Sequence, residues 1–456
     1  MSKTFCVAPW HDVHVTSYGL FKGCCVQSTG PNKGLLKTQG EPISVTQGLD
    51  AARNSDTAKE IRKACLNDQW HPECVRCMKE EQAGMRSMRM MYNERWLKDF
   101  SYNDAVACTE EDGTTDVEPF LYDIQLGNFC NAKCRICNPK TSSSWWQDAM
   151  KMHNIKSNTF TYPTGIGPMQ ITYHGGKKFT MEPDMYAWAN SDEFWQEMQS
   201  RLPNIKHLYL IGGEPMMVHR HFDFLQVCVD SGYSKNITLQ YDTNLTNIPE
   251  HVLTLWTKFK KVMIGASIDG FGKALEYQRH PIKWNQLYKN LQRLDELASH
   301  NPSIEIFDSV TISVFNCLHI LDYIEWKIKE GKHTKVLWKK HNSNMGAHML
   351  HSPRYYSVGI LPVQGKKALI EKCNQWLDKM LQWIASIEHY SDVQTPEQLR
   401  DNLIKWTNRY IKFINNTDET KHLGEFWRKT NKLDEIRDEN FEEVFPLEKQ
   451  WLTIEQ

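Results

Sequence analysis

The sequence lacks an excess of charge of either sign. Its 54 Lys and Arg residues face 55 Asp and Glu residues, which leaves a formal net charge of −1 at pH 7. This balance excludes a nucleic-acid binder that works mainly through bulk positive charge, so we expect no nucleic-acid partner. The sequence also lacks any run of 18 apolar residues, and we therefore expect no transmembrane helix and no membrane partner.

Targeting and common catalytic motifs are missing as well. The segment Met1–Cys6 has no apolar region followed by a small-residue cleavage site, so we expect no secretory signal and a cytoplasmic location. No P-loop, G-x-S-x-G or H-E-x-x-H motif and no internal repeat is present, which excludes the enzyme classes that those motifs mark. The 456 residues are 40% hydrophobic and 24% charged, as in a folded chain, and predict about three domains at roughly 150 residues each.

Cysteine is abundant and unevenly placed. Ten of the 13 cysteines precede residue 138. In a reducing cytoplasm these side chains are expected to be thiolates and not disulfides. Binding of a metal ion or an iron–sulfur cluster is therefore the leading explanation for their clustering.

The hydropathy pattern divides the chain into three parts. Residues 1–100 are rich in cysteine and loops, and an acidic linker follows at Thr109–Gly113. Residues 118–345 alternate apolar strands with amphipathic segments, which predicts β-α units on a parallel sheet, with an insertion of helix and loop at about 141–190. Residues 346–456 show a helical period. The predicted sheet strands are Tyr122–Leu126, His207–Ile211, Ile237–Tyr241, Val262–Ile268, Ile304–Val314 and Lys335–Lys339.

One cysteine cluster follows the first of these strands. Cys130, Cys134 and Cys137 form a C-x3-C-x2-C run. A loop of this length can wrap three thiolates around one face of an iron–sulfur cube and leave its fourth iron without a protein ligand. Structural zinc normally takes four protein ligands, which this run does not supply alone. A zinc loop and a chance run of cysteines are the alternative interpretations.

This run resembles the signature of the radical S-adenosylmethionine (SAM) enzymes. The resemblance implies that Cys130, Cys134 and Cys137 hold a [4Fe–4S] cluster whose open iron chelates the amino and carboxylate groups of SAM. It also implies a partial (β/α)6 barrel. One departure is Ile136, because the family usually has an aromatic residue just before the last cysteine.

Further motifs at the ends of later strands support the resemblance. The segment Gly212–Pro215 looks like the G-G-E-P turn that approaches the SAM amino group, and Thr243-Asn244 looks like the family's T-N segment. Ser267–Gly270 resembles S-x-D-G, and in relatives a serine and an arginine meet the SAM carboxylate. The carboxyl ends of parallel strands lie at the same edge of a sheet, so motifs that follow successive strands are expected to line one crevice. The implied SAM-binding residues are Gly212, Gly213, Glu214, Pro215, Thr243, Asn244, Ser267, Asp269 and Arg279.

A second cysteine set lies near the start of the chain and comprises Cys6, Cys24, Cys74 and Cys77. A hairpin can bring the first two together, and the C-x2-C pair can close a four-thiolate site. The spacing resembles the twitch domain, the short form of the SPASM domain, and so implies one auxiliary [4Fe–4S] cluster in residues 1–100. Here this module precedes the radical SAM core, whereas in relatives it follows.

Alternatives stay open at this second site. A zinc ion with four cysteine ligands fits the same spacing. Cys25 can replace Cys24, and Cys65 is a further spare thiol. The segment Glu81–Ser87 looks like the E-x2-G-x2-S stretch that ends such modules.

Two remaining features have simpler interpretations. The His- and Asn-rich stretch from Lys339 to His351 can line a substrate pocket or bind metal, but solvated loop histidines are commoner. The C-terminal helical pattern predicts a buried apolar face and not a cofactor site. Its members are Trp376, Leu377, Met380, Leu381 and Ile384, and Cys228 is also expected to be in the core.

The resemblance implies reductive cleavage of SAM to a 5′-deoxyadenosyl radical that abstracts a hydrogen atom from a substrate. Modification of a peptide or protein is the leading expectation, and the enzyme subclass, oxidoreductase or transferase, stays open. A dehydrogenase of a small carbohydrate-like molecule and a non-catalytic iron–sulfur electron carrier or sensor are the alternatives. An electron donor such as flavodoxin or ferredoxin is the expected protein partner.

Overall fold

The structure is a computed structural model. It describes residues 2–27, 32–82, 84–164, 167–176, 178–330, 346–391 and 394–453.

Strands of the described residues form one large sheet and two small ones. The strands are β1 (Asp12–Val15), β2 (Phe21–Lys22), β3 (Lys37–Thr38), β4 (Glu41–Pro42), β5 (Leu121–Gln125), β6 (Thr159–Thr164), β7 (Gly167–Tyr173), β8 (Phe179–Glu182), β9 (His207–Ile211), β10 (Thr238–Thr243), β11 (Lys261–Ala266), β12 (Ile304–Ile312) and β13 (Gly346–Met349). The large sheet has the order β13-β12-β11-β10-β9-β5-β1-β2. Every neighbouring pair in it is parallel except β1 and β2, which form an antiparallel hairpin.

Helices connect the parallel strands and make up the C-terminal region. They are α1 (Ala8–His11), α2 (Leu49–Arg53), α3 (Asp56–Leu66), α4 (Val75–Gln82), α5 (Met88–Trp96), α6 (Tyr102–Ala107), α7 (Trp146–Met152), α8 (Asp192–Ser200), α9 (Arg220–Asp230), α10 (Glu250–Trp256), α11 (Gly272–Gln278), α12 (Trp284–His300), α13 (His319–Lys329), α14 (Val363–Ala385), α15 (Pro396–Asn416), α16 (Leu423–Arg437), α17 (Phe441–Val444) and α18 (Pro446–Thr453). No helix of the described residues is both long and apolar enough to cross a membrane.

The expected parallel α/β sheet is confirmed. The predicted strand His207–Ile211 has the observed bounds, and the strands predicted near β5, β10, β11 and β12 differ from the observed ones by one or two residues at their ends. On β5 and β9 alternate residues face the helices, and those residues are aliphatic or aromatic. On β5 and β9 they are Tyr122, Ile124, Leu208 and Leu210, all fully buried in the main core.

Two expectations for the middle of the chain need correction. Residues 141–190 were expected to form helix and loop, but their described part contains α7 and an antiparallel sheet of order β6-β7-β8. Alternation of Thr with Phe, Tyr and Ile in this segment favours strands. The predicted strand Lys335–Lys339 and most of the His-rich stretch lie outside the described residues. The strand that pairs with β12 is β13, and its His348 is exposed.

The N-terminal region shares the large sheet. Asp12 pairs with Leu121 and Val15 with Ile124, so β1 continues the sheet beside β5. The sheet therefore crosses the boundary predicted between residues 1–100 and the core. The acidic linker folds as a turn, in which Gly113 packs against the backbone of Lys59 at the end of a Lys59–Asp112 ion pair.

The described residues after β13 are mainly helical. Within α14, Trp376, Met380 and Ile384 are buried on one face, as the helical period predicted, and α14 packs along α15. The N-terminus of α15 is closed by a capping box between Thr395 and Gln398.

Candidate functional site

The three-cysteine loop follows the carboxyl end of β5. Cys130 and Cys134 are buried and Cys137 is half-buried. The loop is held by two backbone hydrogen bonds to the end of α11 and the residues after it, from Arg135 N to Gln278 O (2.8 Å) and from Lys133 N to His280 O (2.6 Å). The loop that carries the cysteines is therefore paired to another part of the sheet edge, and its shape does not depend on its own sequence alone.

Nitrogen donors from later strands approach the thiols. The Asn244 side-chain nitrogen lies 3.9 Å from the Cys130 sulfur, and the Arg279 Nη1 atom lies 3.9 Å from the Cys134 sulfur. The Ala132 backbone N–H donates to the Cys130 sulfur at 3.4 Å. Hydrogen bonds to sulfur stabilise thiolates and tune the potential of an iron–sulfur cluster.

Burial controls the protonation of these thiols. Burial, together with the neighbouring Cys134, raises the pKa of the Cys130 thiol to about 12. A hydrogen bond from Cys134 lowers the pKa of the Cys137 thiol below its ordinary value. A thiol that burial holds protonated, such as Cys130, gives up its proton when a metal group binds.

The Gly212–Pro215 turn lies directly against this loop. Glu214 N donates to Phe129 O at 2.7 Å, and a Cβ atom added at Gly213 would lie 2.4 Å from the same carbonyl oxygen. Gly212 has a φ of 137° and packs on Leu126. The two glycines are therefore required where the turn touches the chain just before Cys130.

The Glu214 side chain points into the protein. Its carboxylate accepts hydrogen bonds from Thr243 Oγ1 (2.6 Å), Asn244 N (2.7 Å) and Met216 N (3.1 Å). Burial raises its pKa to about 7, although these donors oppose the shift. The carboxylate thus links the end of β9 to the end of β10 and is not an exposed acceptor.

The T-N segment is also joined to the cysteine loop. Asn244 donates through its side chain to the Asn131 side-chain oxygen at 2.9 Å, and Asn131 donates to Thr246 Oγ1 at 2.7 Å. Asn131 follows Cys130, so this network fixes the first cysteine relative to β10. It adds Asn131 to the site, a residue that the motif comparison did not single out.

Asp269 and Arg279 form a buried pair. Arg279 Nε donates to Asp269 Oδ2 at 2.8 Å, and Asp269 Oδ1 accepts from Thr311 N at 2.8 Å. Ser267 is half-buried, and its backbone N–H donates to Thr243 O at 2.9 Å. The structure therefore brings all four predicted motifs to one edge of the sheet.

The C-terminal helices contribute residues that sequence patterns did not reveal. Arg135, between Cys134 and Cys137, is fully buried and pairs with Asp434 and with Glu439, the latter at 2.6 Å. Glu439 also lies 2.7 Å from His280 Nδ1. A charged residue inside a buried motif is a signal that a partner exists, but nothing in the sequence indicates that the partner lies about 300 residues away.

A second group of charged residues stabilises the other side of the loop. Asp148 of α7 accepts from Lys133 at 2.8 Å and from Arg437 of α16 at 2.8 Å. The Arg437 guanidinium lies over the ring of Trp145, whose indole N–H donates to Cys134 O at 3.0 Å. The loop is thus held between α7 and the end of α16.

The N-terminal cysteines line one cavity at the other end of the sheet. Among the described residues its walls include five thiols, those of Cys6, Cys24, Cys65, Cys74 and Cys77. Cys6 precedes β1 and Cys24 follows the antiparallel β2, so both lie at the amino edge of the sheet, whereas the three-cysteine loop lies at the carboxyl edge. Cys24 lines the cavity and Cys25 does not, and Cys65 joins the set.

The segment after α4 braces this cavity. Glu81 accepts from Ser87 Oγ at 2.6 Å, and Arg89 pairs with Glu81 while donating to Phe5 O at 2.9 Å. Gln27 donates to the Cys74 sulfur at 3.5 Å. Burial raises the pKa of the Cys74 thiol to about 11. Neither at this cavity nor at the three-cysteine loop do three His, Cys, Asp or Glu residues of the described chain have the arrangement of ligands around a single metal ion.

No protein-family model and no curated protein matches the chain. Among solved structures it is similar to anSMEcpe with bound AdoMet, at 18% sequence identity and a TM-score of 0.33, over 56% of this chain and 60% of that chain. It is also similar to Streptococcus suis SuiB bound to S-adenosylmethionine, at 11% identity and a TM-score of 0.30, over 72% of this chain and 60% of that chain. The chain thus spans less than two thirds of the length of either. Likenesses at this level do not assign a family or an activity.

Proposed function

We propose that the chain is a radical SAM enzyme in which Cys130, Cys134 and Cys137 hold a [4Fe–4S] cluster. The observation that carries the proposal is the convergence at one sheet edge of three thiols on a single loop with Asn244 and Arg279, whose nitrogens lie 3.9 Å from two of the sulfurs. The chemistry that this cofactor supplies when bound is the reductive cleavage of SAM to methionine and a 5′-deoxyadenosyl radical, which abstracts a hydrogen atom from the substrate.

Residues at the ends of β9, β10 and β11 would hold SAM beside the cluster. The backbone carbonyls of Gly212–Pro215 are proposed to accept from the SAM ammonium, because the Glu214 carboxylate is already used by Thr243 and Asn244. Ser267 and Arg279 are proposed to meet the SAM carboxylate. Asp269 orients Arg279 through the 2.8 Å contact, so the guanidinium keeps a fixed direction when the ligand arrives.

The N-terminal cavity is proposed to hold one auxiliary [4Fe–4S] cluster through Cys6, Cys24, Cys74 and Cys77. Support comes from the enclosure of these buried and half-buried thiols in one cavity at the amino edge of the sheet. Cys65 is the spare thiol in the same wall. The auxiliary cluster and the SAM site then lie at opposite edges of a sheet whose strand β5 is five residues long, or about 17 Å.

The substrate is proposed to be a peptide or protein, and flavodoxin or ferredoxin the class of electron donor. The substrate approaches the carboxyl edge of the sheet, where ligands of parallel α/β sheets bind. The chain's task is to hold SAM in one orientation and to keep water and stray hydrogen donors away from the reacting atoms.

The central test is SAM cleavage. Protein reconstituted anaerobically with iron and sulfide, and reduced with dithionite, is expected to convert SAM to 5′-deoxyadenosine, measured by liquid chromatography. Cys134→Ala should abolish the product, while Cys108→Ala, at an isolated half-buried thiol, should retain it. Cluster-loaded protein that yields no 5′-deoxyadenosine with any low-potential reductant would instead be an iron–sulfur electron carrier or sensor.

A second experiment tests the class of substrate. Hydrogen abstraction from a deuterated substrate transfers deuterium to 5′-deoxyadenosine, which mass spectrometry detects. Peptides encoded beside the gene are the first candidates, and small carbohydrates form the comparison arm. Deuterium transfer from a carbohydrate alone would overturn the peptide assignment.

A further inference from the structure

We propose that one face of the sheet, between the two cysteine sets, binds an organic cation, the ammonium or guanidinium group of a substrate. The face is formed by His14, Asp123, Gln125, Tyr209 and Asp242 and is called the polar face below. This inference rests on the proposed function, since it names the substrate chemistry of that same enzyme.

Strand alternation creates the polar face. On β5 and β9 the residues between the buried Tyr122, Ile124, Leu208 and Leu210 point away from the helices, and they are polar. His14 of β1 is the register partner of Asp123, and Asp123 is the register partner of Tyr209. Side chains from adjacent strands therefore stand next to one another on this face.

The contacts within the polar face leave acceptors in excess. His14 Nδ1 lies 2.9 Å from Asp123 Oδ2, and the Tyr209 hydroxyl donates to Asp242 Oδ2. The other oxygen of the Asp123 carboxylate, Oδ1, is buried and has no hydrogen-bond partner among the described residues, whereas the Asp242 carboxylate also receives a hydrogen bond from the Ser309 side chain. Asp123 as a whole is only 8% exposed. An unpaired buried carboxylate oxygen is costly, which indicates a missing donor.

The fold makes room for this costly arrangement. A Cβ atom at Gly265, on the neighbouring strand β11, would fall on the Asp242 Oδ1 atom. Tyr209, Asp242 and Gln125 are partly exposed, so a ligand can reach the site from their side. The missing Cβ at Gly265 therefore lets the Asp242 carboxylate pack against β11, and the partial exposure of Tyr209, Asp242 and Gln125 leaves the other side of the polar face accessible.

Electrostatics point to a positively charged ligand. Burial raises the pKa of Asp242 and the charge of Asp123 adds to the shift, although the hydrogen bonds from Tyr209 and Ser309 and the nearby His348 oppose it. Burial and the charge of Asp123 also raise the pKa of Asp12 to about 7. Carboxylates that oppose one another in this way are stabilised when a cation is placed among them. The described residues do not form a single-ion metal site, so a polyatomic cation is the better fit.

The position of the polar face suits a substrate. Cys6 and Cys24 lie at the amino edge of the sheet and Cys130 at the carboxyl edge, and the polar face spans the distance between them. A cationic group held by Asp123 and Asp242 would anchor a substrate whose reacting carbon faces the SAM edge.

The test compares the thermal unfolding midpoint of the cluster-loaded protein with and without a cationic probe. No reductant is added, and the ionic strength is held constant. The probes are N-acetyl-Gly-Lys-Gly-amide with its norleucine counterpart, and glucosamine with glucose. We expect a saturable rise of the order of 2 °C for at least one cationic probe over its neutral counterpart. The double variant Asp123→Asn/Asp242→Asn should lose this rise, and Asp116→Asn, at an exposed carboxylate, should keep it.

The two probe arms identify the source of the cation. A rise with the lysyl peptide supports a peptide side chain, and a rise with glucosamine alone supports an aminosugar. Equal responses of the wild type to charged and neutral probes overturn the inference, as does an undiminished response of the double variant. If the double variant does not fold, Asp242→Asn alone serves the same comparison. SAM cleavage is not measured here, so failure of this site is distinguishable from failure of the proposed enzyme activity.

Discussion

Arg135 and Glu439 meet at 2.6 Å although 304 residues separate them in the chain. The Arg135 side chain is fully buried, and its guanidinium also lies 3.6 Å from the centre of the Tyr277 ring. The carboxylates that compensate this charge, those of Asp434 and Glu439, come from the C-terminal helices. The three-cysteine loop is therefore stabilised by the part of the chain that carries no recognised motif.

Replacing Arg135 tests this linkage. Arg135→Met leaves two carboxylates near the cysteine loop without their guanidinium partner, and breaking such a buried pair costs about 3–5 kcal/mol in free energy of unfolding. Urea denaturation followed by circular dichroism measures the loss. Arg400→Gln, at a half-exposed arginine beside Asp401, is the control and should change the free energy by no more than about 0.5 kcal/mol. Equal changes in the free energy of unfolding for the two variants would contradict the stabilising role of Arg135.

Gly213 is predicted to control cluster loading. Gly213→Ala places a methyl group 2.4 Å from Phe129 O, so the chain just before Cys130 must move. We expect a loss of most of the iron bound at the three-cysteine loop, measured by the absorbance and iron content of reconstituted protein. Gly424→Ala, in α16 with no atom within 4 Å of the new methyl group, should retain the iron and gain up to about 1 kcal/mol of stability.

Cys24 and Cys25 are predicted to behave differently despite being adjacent. Cys24 lines the N-terminal cavity and Cys25 does not. Two cubes correspond to about eight iron and eight sulfide per chain, so Cys24→Ser should lower both counts to about four while Cys25→Ser leaves them unchanged. If the wild-type protein instead contains about four iron atoms and one zinc ion per chain, the N-terminal site is a zinc site and not an auxiliary cluster.

Glu448 is predicted to make stability depend on pH. Burial raises its pKa to about 7 in the folded protein, above the value near 4.3 expected in the unfolded chain. Folding therefore takes up a proton between these values, and this group contributes stability at low pH that is lost as the pH rises towards 7. Glu448→Gln should gain stability relative to wild type between pH 4.5 and pH 8, by an amount of the order of 3 kcal/mol.

The comparison needs a matched carboxylate. Glu442 is exposed in the neighbouring α17, so Glu442→Gln should follow the wild-type pH profile. The free energy of unfolding at each pH gives the answer, and a constant difference between Glu448→Gln and wild type would contradict the assignment.

Much of the sheet was readable from the sequence because apolar runs such as His207–Ile211 mark buried parallel strands. The site motifs were readable for a similar reason, since each one follows a strand and so falls at the same edge. The β6-β7-β8 sheet was missed because the glycines between its strands favour loops, although the alternation of Thr with Phe and Tyr in β6 favours a strand.

Contacts between distant segments were beyond reach. The sequence shows a buried motif that contains Arg135 but does not indicate Asp434 as its partner, because packing of the C-terminal helices decides that contact. Likewise, the spacing of Gly212 and Gly213 identifies a tight turn, whereas only the structure shows that Phe129 is what the turn touches. Register within the polar face also depends on β1 joining β5, which no local pattern indicates.

The pairing of β1 with β5 sets an order for biogenesis. Asp12 is synthesised 109 residues before its partner Leu121, so the first strand leaves the ribosome long before it can pair. Arg135 has no carboxylate partner until Asp434 and Glu439 have been translated. A nascent chain therefore exposes its cysteines before their surroundings exist, and assembly of the proposed cluster on the three-cysteine loop is expected only after translation has passed residue 439.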